Sequence, residues 1–565
     1  MITAKTVAIL AFIFYCHAVA ASVKPSPIVQ LSGGKVQGVV VDVENEQSVN
    51  VFHGIRYARA DRFAKPKLPE PWSGVYNATQ FQFACPQPGI PYGQHPVGGY
   101  MAQATNEDCL FVSVFAPAKP AGKLRPVMVW IHGGGFLIGS EFTFTNDGKM
   151  LASLGDVVVV TINYRLGVLG LLYGGDDLVP PNLGLYDQIF ALKWVQANAA
   201  AFGGDPKQVT IFGESAGSMS VGSLVLSPLA NGLFHRAIMQ SGAPTSAVGS
   251  QSKADSLKAT QVVARRLNCP NTDSIAHSIA CIRDKTVPEL TAVATAMTDA
   301  ELALRPTHET ELLPLRPVQA VKTGKFNRDI DLLFGVVNDE GMSVFANMFN
   351  LTRNSTSADL SLEKARLVMN LVFSTLSGPL DSHLGNTTEI IDFYLKAVRN
   401  ASDPFAVRKA VSDAFGDYYL VCPTILFGEE IARQQPKTRY YSYRLVQPSS
   451  VPAFGCPAGE GVVCHAIDVP PTFGVPIELQ GIVYTDEEAT LSRDMIRAWT
   501  NFAKCGHPGT VGSVEWKEAF SRSADGTLSA PATSYIELNA HKYRMVDGRY
   551  KANCDAFWKP RIFAD

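Results

Sequence analysis

The chain has little charge of either sign in excess, and few of the patterns that organise metal, nucleotide or membrane chemistry. Charged residues make up 18% of its 565 positions and the net charge is −2, so it carries no electrostatic footprint for nucleic acid or an anionic membrane surface. No two cysteines form a C-x-x-C pair, and no zinc or other metal site is expected. Neither G-x-G-x-x-G nor a Walker lysine occurs, which removes the usual nucleotide-phosphate loops; no organic cofactor is implied. Past residue 20 no apolar run is long enough to cross a bilayer, and Ile562-Phe563-Ala564-Asp565 is no retention or anchor signal. No repeat, low-complexity tract or flexible linker divides the sequence, so residues 21–565 are read as a single domain.

What is present begins with export. Lys5, an apolar run from Val7 to Tyr15 and the small residues Ala18-Val19-Ala20 read as a signal peptide over residues 1–20. A mature chain starting near Ala21 would be secreted and extracellular. N-x-[ST] sequons at Asn77, Asn350, Asn354, Asn386 and Asn400 would then be open to glycosylation. Nine of the ten cysteines remain after Cys16 leaves with the leader: 85, 109, 269, 281, 422, 456, 464, 505 and 554. In an oxidising compartment most should pair, and the odd number leaves one over.

Apolar β-branched runs alternate with helical periodicity. Strands are predicted at 127–131, 157–162, 208–212, 330–337 and 440–445. Leu185, Ile189, Leu192, Val195, Ala199 and Phe202 predict a helix laying one face on a sheet. Such alternation implies an α/β fold, a large and mostly parallel sheet with helices on both faces.

Chemistry enters at Gly213-Glu214-Ser215-Ala216-Gly217, directly after the 208–212 strand and opening a helical run. A serine on a tight strand–turn–helix bend stands clear of the sheet, and glycines on either side leave room for that bend. The bland alternative is a structural turn. His132-Gly133-Gly134-Gly135-Phe136 follows the 127–131 strand, and bare glycine N–H groups there suit a developing oxyanion. Position assigns Gly134, Gly135 and Ala216 as the donors.

A nucleophilic serine needs a histidine base and an orienting acid, which in this architecture follow it in the chain. Histidines 235, 277, 308, 383, 465, 507 and 541 all qualify by order. His465 stands out because Gly461-Val462-Val463 precedes it and residues 468–474 read as a loop. For the acid, Glu340 in Asp339-Glu340-Gly341 lies just past a predicted strand, where open α/β sheets build their sites. The residues alone leave both choices open, since most loop acids and histidines are merely solvated.

The motifs together resemble the type-B carboxylesterases, a family of cholinesterases, insect esterases, fungal lipases and non-catalytic neuroligins. The resemblance runs from Val36 to Trp558 through Gly54-Ile55-Arg56-Tyr57-Ala58, Glu107-Asp108-Cys109-Leu110-Phe111, the 130–136 segment and Asn163-Tyr164-Arg165-Leu166-Gly167. It continues through Asn182–Gln188, Phe202-Gly203-Gly204-Asp205-Pro206, the Ser215 pentapeptide and Asp339-Glu340-Gly341. It implies the α/β-hydrolase fold and ester hydrolysis through Ser215, Glu340 and His465. It also implies bridges Cys85–Cys109, Cys269–Cys281 and Cys422–Cys554. Cys456 and Cys464 read as an extra local bridge, which leaves Cys505 as the odd thiol.

Two departures shape the expected substrate, a small-molecule ester. The tryptophan by which cholinesterases hold a quaternary ammonium belongs in the stretch ahead of Cys109, but this chain reads Gly98-Gly99-Tyr100-Met101 there. The Cys85–Cys109 loop holds 23 residues (109 − 85 − 1), short for a large lipase lid. Both favour small esters of uncharged alcohols. A lipase acting on acylglycerols is the nearer alternative and a neuroligin-like adhesion protein the remoter one. Arg56 stands where the family has proline and reads as a structural variation. Oligomeric state is not legible.

Overall fold

The computed structural model describes residues 24–44, 47–88, 104–296, 304–342, 360–376, 384, 386–435, 437–451, 456, 461–521, 523, 533–547 and 552–564. Twelve strands among them form one sheet. In chain order these are β1 (Lys24–Pro25), β2 (Val39–Asp42), β3 (Ser48–Arg56), β4 (Phe111–Pro117), β5 (Arg125–Ile131), β6 (Val158–Ile162), β7 (Gly204–Glu214), β8 (Arg236–Gln240), β9 (Asp331–Val337), β10 (Tyr440–Leu445), β11 (Tyr535–Leu538) and β12 (Arg544–Val546). Their spatial order is β1-β2-β3-β4-β6-β5-β7-β8-β9-β10-β11-β12.

From β6 to β11 every neighbouring pair is parallel. The first four strands and β12 join it antiparallel. The predicted parallel sheet is therefore its centre, while the antiparallel N-terminal third has no counterpart in the strand–helix alternation. Parallel neighbours need a long crossover, usually helical, whereas β2 and β3 are linked by a short connection that permits only an antiparallel return. The central strands β5 and β6 are buried at every position and are almost wholly apolar past Arg125, as strands covered on both faces must be.

Helices cover both faces. On one, α1 (Leu183–Asn198) and α2 (Ala216–Leu226) bury almost everything. The expected one-faced helix is thus corrected: in α1 only Lys193 and Ala197 are exposed, and even Asp187 and Gln188 lie inside. Asp187 is held there by a bidentate pair with buried Arg165, which satisfies charges that would otherwise be costly to enclose. On the other face α3 (Asp486–Cys505) is strongly amphipathic and starts on a capping box between Thr485 and Glu488. It lays Met495, Trp499 and Phe502 against Trp130, Phe212 and Tyr443 of the sheet. Each such fully buried large side chain contributes about 1.5–3 kcal/mol. Among the described residues no helix is long and apolar enough to cross a membrane.

Candidate active site

Four chain segments meet at the C-terminal ends of the parallel strands. β5 leads into the glycine run, β7 into Ser215, β9 into Glu340, and the segment after β10 brings His465.

Ser215 has φ 58° and ψ −124°, a left-handed conformation that a non-glycine residue adopts only when the surrounding structure enforces it. The enforcement is local. Ser215 N–H donates to the Gln240 carbonyl of β8 at 2.9 Å, and the Ser215 carbonyl accepts from Met219 N–H at 2.9 Å as the first turn of α2 closes. The serine is left part-exposed at the helix N-terminus.

The glycine loop lies directly against this bend. A Cβ added to Gly133 would sit 2.6 Å from the Glu214 carbonyl and 3.1 Å from Ser215 Cβ. Gly134 has φ +100° and its added Cβ would strike the Ile138 carbonyl at 2.3 Å, so no other residue fits there. Neither Gly134 nor Gly135 N–H donates to any described protein atom, which leaves both available to a bound oxyanion. His132, stacked on Tyr164 with ring centroids 4.3 Å apart, anchors the loop's start. Burial pushes its pKa down to about 4, so it stays a neutral wedge.

Glu340 and His465 come together across 125 residues of sequence. His465 Nδ1 meets Glu340 Oε2 at 2.7 Å, and Glu340 Oε1 accepts the Val337 N–H at 2.9 Å. The histidine loop is tied to the end of β9 by Asp339. Its N–H donates to the Val463 carbonyl at 2.9 Å, its Oδ2 accepts from Val463 N–H at 3.0 Å, and its Oδ1 pairs with Lys409 Nζ at 2.9 Å.

His465 Nε2 lies 3.0 Å from Glu214 Oε1, a close ionic contact rather than an aligned hydrogen bond. No hydrogen bond joins it to Ser215 among the described residues, as is common before substrate tightens such sites. Burial raises Glu214 to about 8, opposed by the attraction of His465. For His465, burial works to lower the pKa, but Glu214 and then Glu340 overcome it and lift the ring to about 9. The titration of each group therefore depends on the charge of the other.

Glu214 was legible only as the variable residue of the pentapeptide, and nothing in the sequence marked it as a partner of His465. Asp468 was missed as well. It is fully buried, its pKa raised by burial, and accepts from Tyr443 Oη at 2.6 Å and from Gln240 Nε2 at 3.0 Å. Gln240 is fixed in turn by the Trp499 indole at 3.1 Å. The stretch after His465, expected to be a loop, contains a short helix at Val469–Phe473, where Pro470 and Pro471 take first-turn positions that need no N–H donor.

The structure contains the bridges Cys85–Cys109, Cys269–Cys281, Cys422–Cys554 and Cys456–Cys464, the last one residue from His465. Cys505 is free and exposed. Asn77, Asn386 and Asn400 are exposed, whereas Asn350, Asn354 and the Gly98–Met101 stretch lie outside the described residues. Among the described residues no group of three or more His, Cys, Asp or Glu is arranged to hold a metal ion.

A twelve-stranded, centrally parallel sheet with helices on both faces and a strained serine between strand and helix defines an α/β-hydrolase. Residues 25–558 match the Carboxylesterase family. The chain is 31% identical to Acetylcholinesterase-1 of Trittame loki, over 98% of this chain and 98% of that protein. It is 32% identical to Carboxylesterase 1C of Mus musculus (94% and 92% covered) and 32% identical to Cholinesterase of Mus musculus (94% and 86% covered). It belongs to the carboxylesterase family and is a carboxylic ester hydrolase of the serine esterase kind.

Proposed function

We propose that Ser215, His465 and Glu340 are the catalytic triad and that Gly134, Gly135 and Ala216 supply the oxyanion hole. His465 takes the Ser215 proton on Nε2 as Oγ attacks the ester carbonyl carbon, and Glu340 holds the imidazolium through Nδ1. The carbonyl oxygen, now an oxyanion, is stabilised by the three backbone N–H groups. Collapse expels the alcohol, which leaves with the proton from His465. Water then adds to the acyl-serine with His465 again as base, releasing the acid and restoring the Ser215 hydroxyl. The observation that carries this reading is the 2.7 Å bond between His465 Nδ1 and Glu340, which orients Nε2 toward the elbow that bears Ser215.

The substrates proposed are carboxylic esters of uncharged alcohols. The absence of tryptophan from Gly98–Met101 supports this, because a quaternary ammonium would lose its strongest cation–π partner. Relatives with cholinesterase and carboxylesterase names match at nearly equal identity, so overall likeness favours neither. Residues 1–20 are proposed to direct secretion, with glycans on the exposed Asn77, Asn386 and Asn400 and on Asn350 and Asn354. The four bridges are in keeping with an oxidising compartment.

Ser215→Ala is expected to lower p-nitrophenyl butyrate turnover by about 10⁴-fold or more while the protein stays folded. Retained turnover in purified protein would overturn the assignment. Butyrylthiocholine should be cleaved with a lower kcat/KM than a neutral butyrate ester, and emulsified triglyceride should bring no interfacial activation.

A further inference from the structure

The oxyanion loop has almost no backbone bonding of its own. Between Gly133 and Gly139, positive φ at Gly134, Gly135, Phe136 and Gly139 prevents any regular ladder. The bonds it makes are Leu137 N–H and Ile138 N–H to the Gly134 carbonyl, and the Phe136 carbonyl accepting from Gly167 N–H. N–H groups stabilise an oxyanion only if they are already aimed at it, because reorganising them during reaction costs what they would supply. Something must therefore hold the far end of the loop, and a side chain from a distant segment meets it there. Gln87 Nε2 donates to the Gly139 carbonyl at 2.9 Å, and Gly139 N–H donates to Gln87 Oε1 at 2.9 Å. The amide thus pairs with Gly139 as a neighbouring peptide would in a strand, donating and accepting at once. Gln87 is itself fixed at its root: Nε2 also reaches the Cys85 carbonyl at 3.0 Å, and Cys85 is buried and bridged to Cys109.

Movement at Gly139 would reach the donors directly. Its backbone packs on the His132 ring so closely that an added Cβ would lie 2.1 Å from Nδ1, and that same nitrogen is 2.9 Å from the Gly133 carbonyl. We propose that Gln87 is a positioning residue for the oxyanion hole: its amide clamps Gly139 and transmits the rigidity of the Cys85–Cys109 bridge to Gly134 and Gly135. This rests on the oxyanion role proposed above for those glycines.

The test compares kcat, KM and inhibition by a trifluoromethyl ketone, which binds as a tetrahedral oxyanion adduct, in Gln87→Ala, Gln87→Glu and the unsubstituted enzyme. Gln87→Ala should lower kcat roughly 10- to 100-fold with KM little changed, and weaken the ketone by a similar factor. Gln87→Glu keeps an acceptor for Gly139 N–H but, when ionised, turns a carboxylate on the Gly139 carbonyl. Its kcat relative to the unsubstituted enzyme should recover as pH falls and the carboxyl regains a donor. Unchanged kcat in Gln87→Ala, a loss confined to KM, or unfolding of both variants would overturn the proposal. If Ser215→Ala abolishes turnover while Gln87→Ala does not lower it, this inference alone fails. If Ser215→Ala stays active, the catalytic reading fails whatever Gln87 does.

Discussion

The serine elbow and the histidine loop are held in place by different kinds of force. The elbow is fixed by backbone against backbone: Ser215 N–H on the Gln240 carbonyl, and Gly217 packed where an added Cβ would lie 2.0 Å from the Ile131 carbonyl. Strand β7 and helix α2 are both central and buried, so the bend between them has nowhere to relax. The histidine loop is fixed mostly by side chains and a cross-link, through Asp339, Lys409 and the Cys456–Cys464 bridge, with a single backbone bond from Asp339 N–H to the Val463 carbonyl, at the edge of the site. A short bridge of this kind stabilises by about 2–3 kcal/mol, mainly by restricting the unfolded chain. The elbow should therefore fail all at once, whereas the loop should lose performance by degrees.

Gly217→Ala would break the elbow most severely. The clash with Ile131 and, at 2.9 Å, with His132 should cost about 3 kcal/mol or more and abolish turnover together with stability. A denaturant midpoint within error of the parent would show that the elbow tolerates relaxation and collapse the contrast. Asp339→Ala attacks the other side. It leaves Val463 N–H without its carboxylate and Lys409 with Asp413 alone, and should cost about 1–3 kcal/mol and lower kcat about tenfold, with the fold retained. Loss of all activity with global unfolding would mean the loop is held as rigidly as the elbow.

Glu214→Gln sharpens the comparison without breaking either element. A carboxylate beside the ring stabilises imidazolium, so removing it should let the proton leave His465 at lower pH. Because the base must be neutral to act, the rising limb of the kcat/KM–pH profile should move to lower pH. A limb that stays in place would assign the raised pKa to Glu340 instead.

The same contrast explains what could be read in advance. Strands β5, β6, β7, β9 and β10 were legible because a strand buried on both faces needs a nearly unbroken apolar run, and Ser215 because its bend needs a local glycine pattern, whereas β8 was not among the predicted strands. The helical spacing of α1 was seen, but not that it is enclosed almost all round, since periodicity records which residues are apolar and not what covers the rest. Helix Val469–Phe473 was read as a loop because two adjacent prolines look like breakers unless they fall in the first turn. Short strands β1 and β2 carry too few residues to show a period.

By itself the sequence determined the parallel core and the tight bend at Ser215, each a property of a few adjacent residues, while it offered Glu340 and His465 only as candidates among several acids and histidines. Tertiary structure alone decided that His465 contacts Glu214 as well as Glu340, that Asp468 is sealed beneath them, and that Gln87 reaches the oxyanion loop from another segment. Those contacts span tens to hundreds of residues. Their energies come from burial and orientation, which no local pattern encodes until the chain has folded around them.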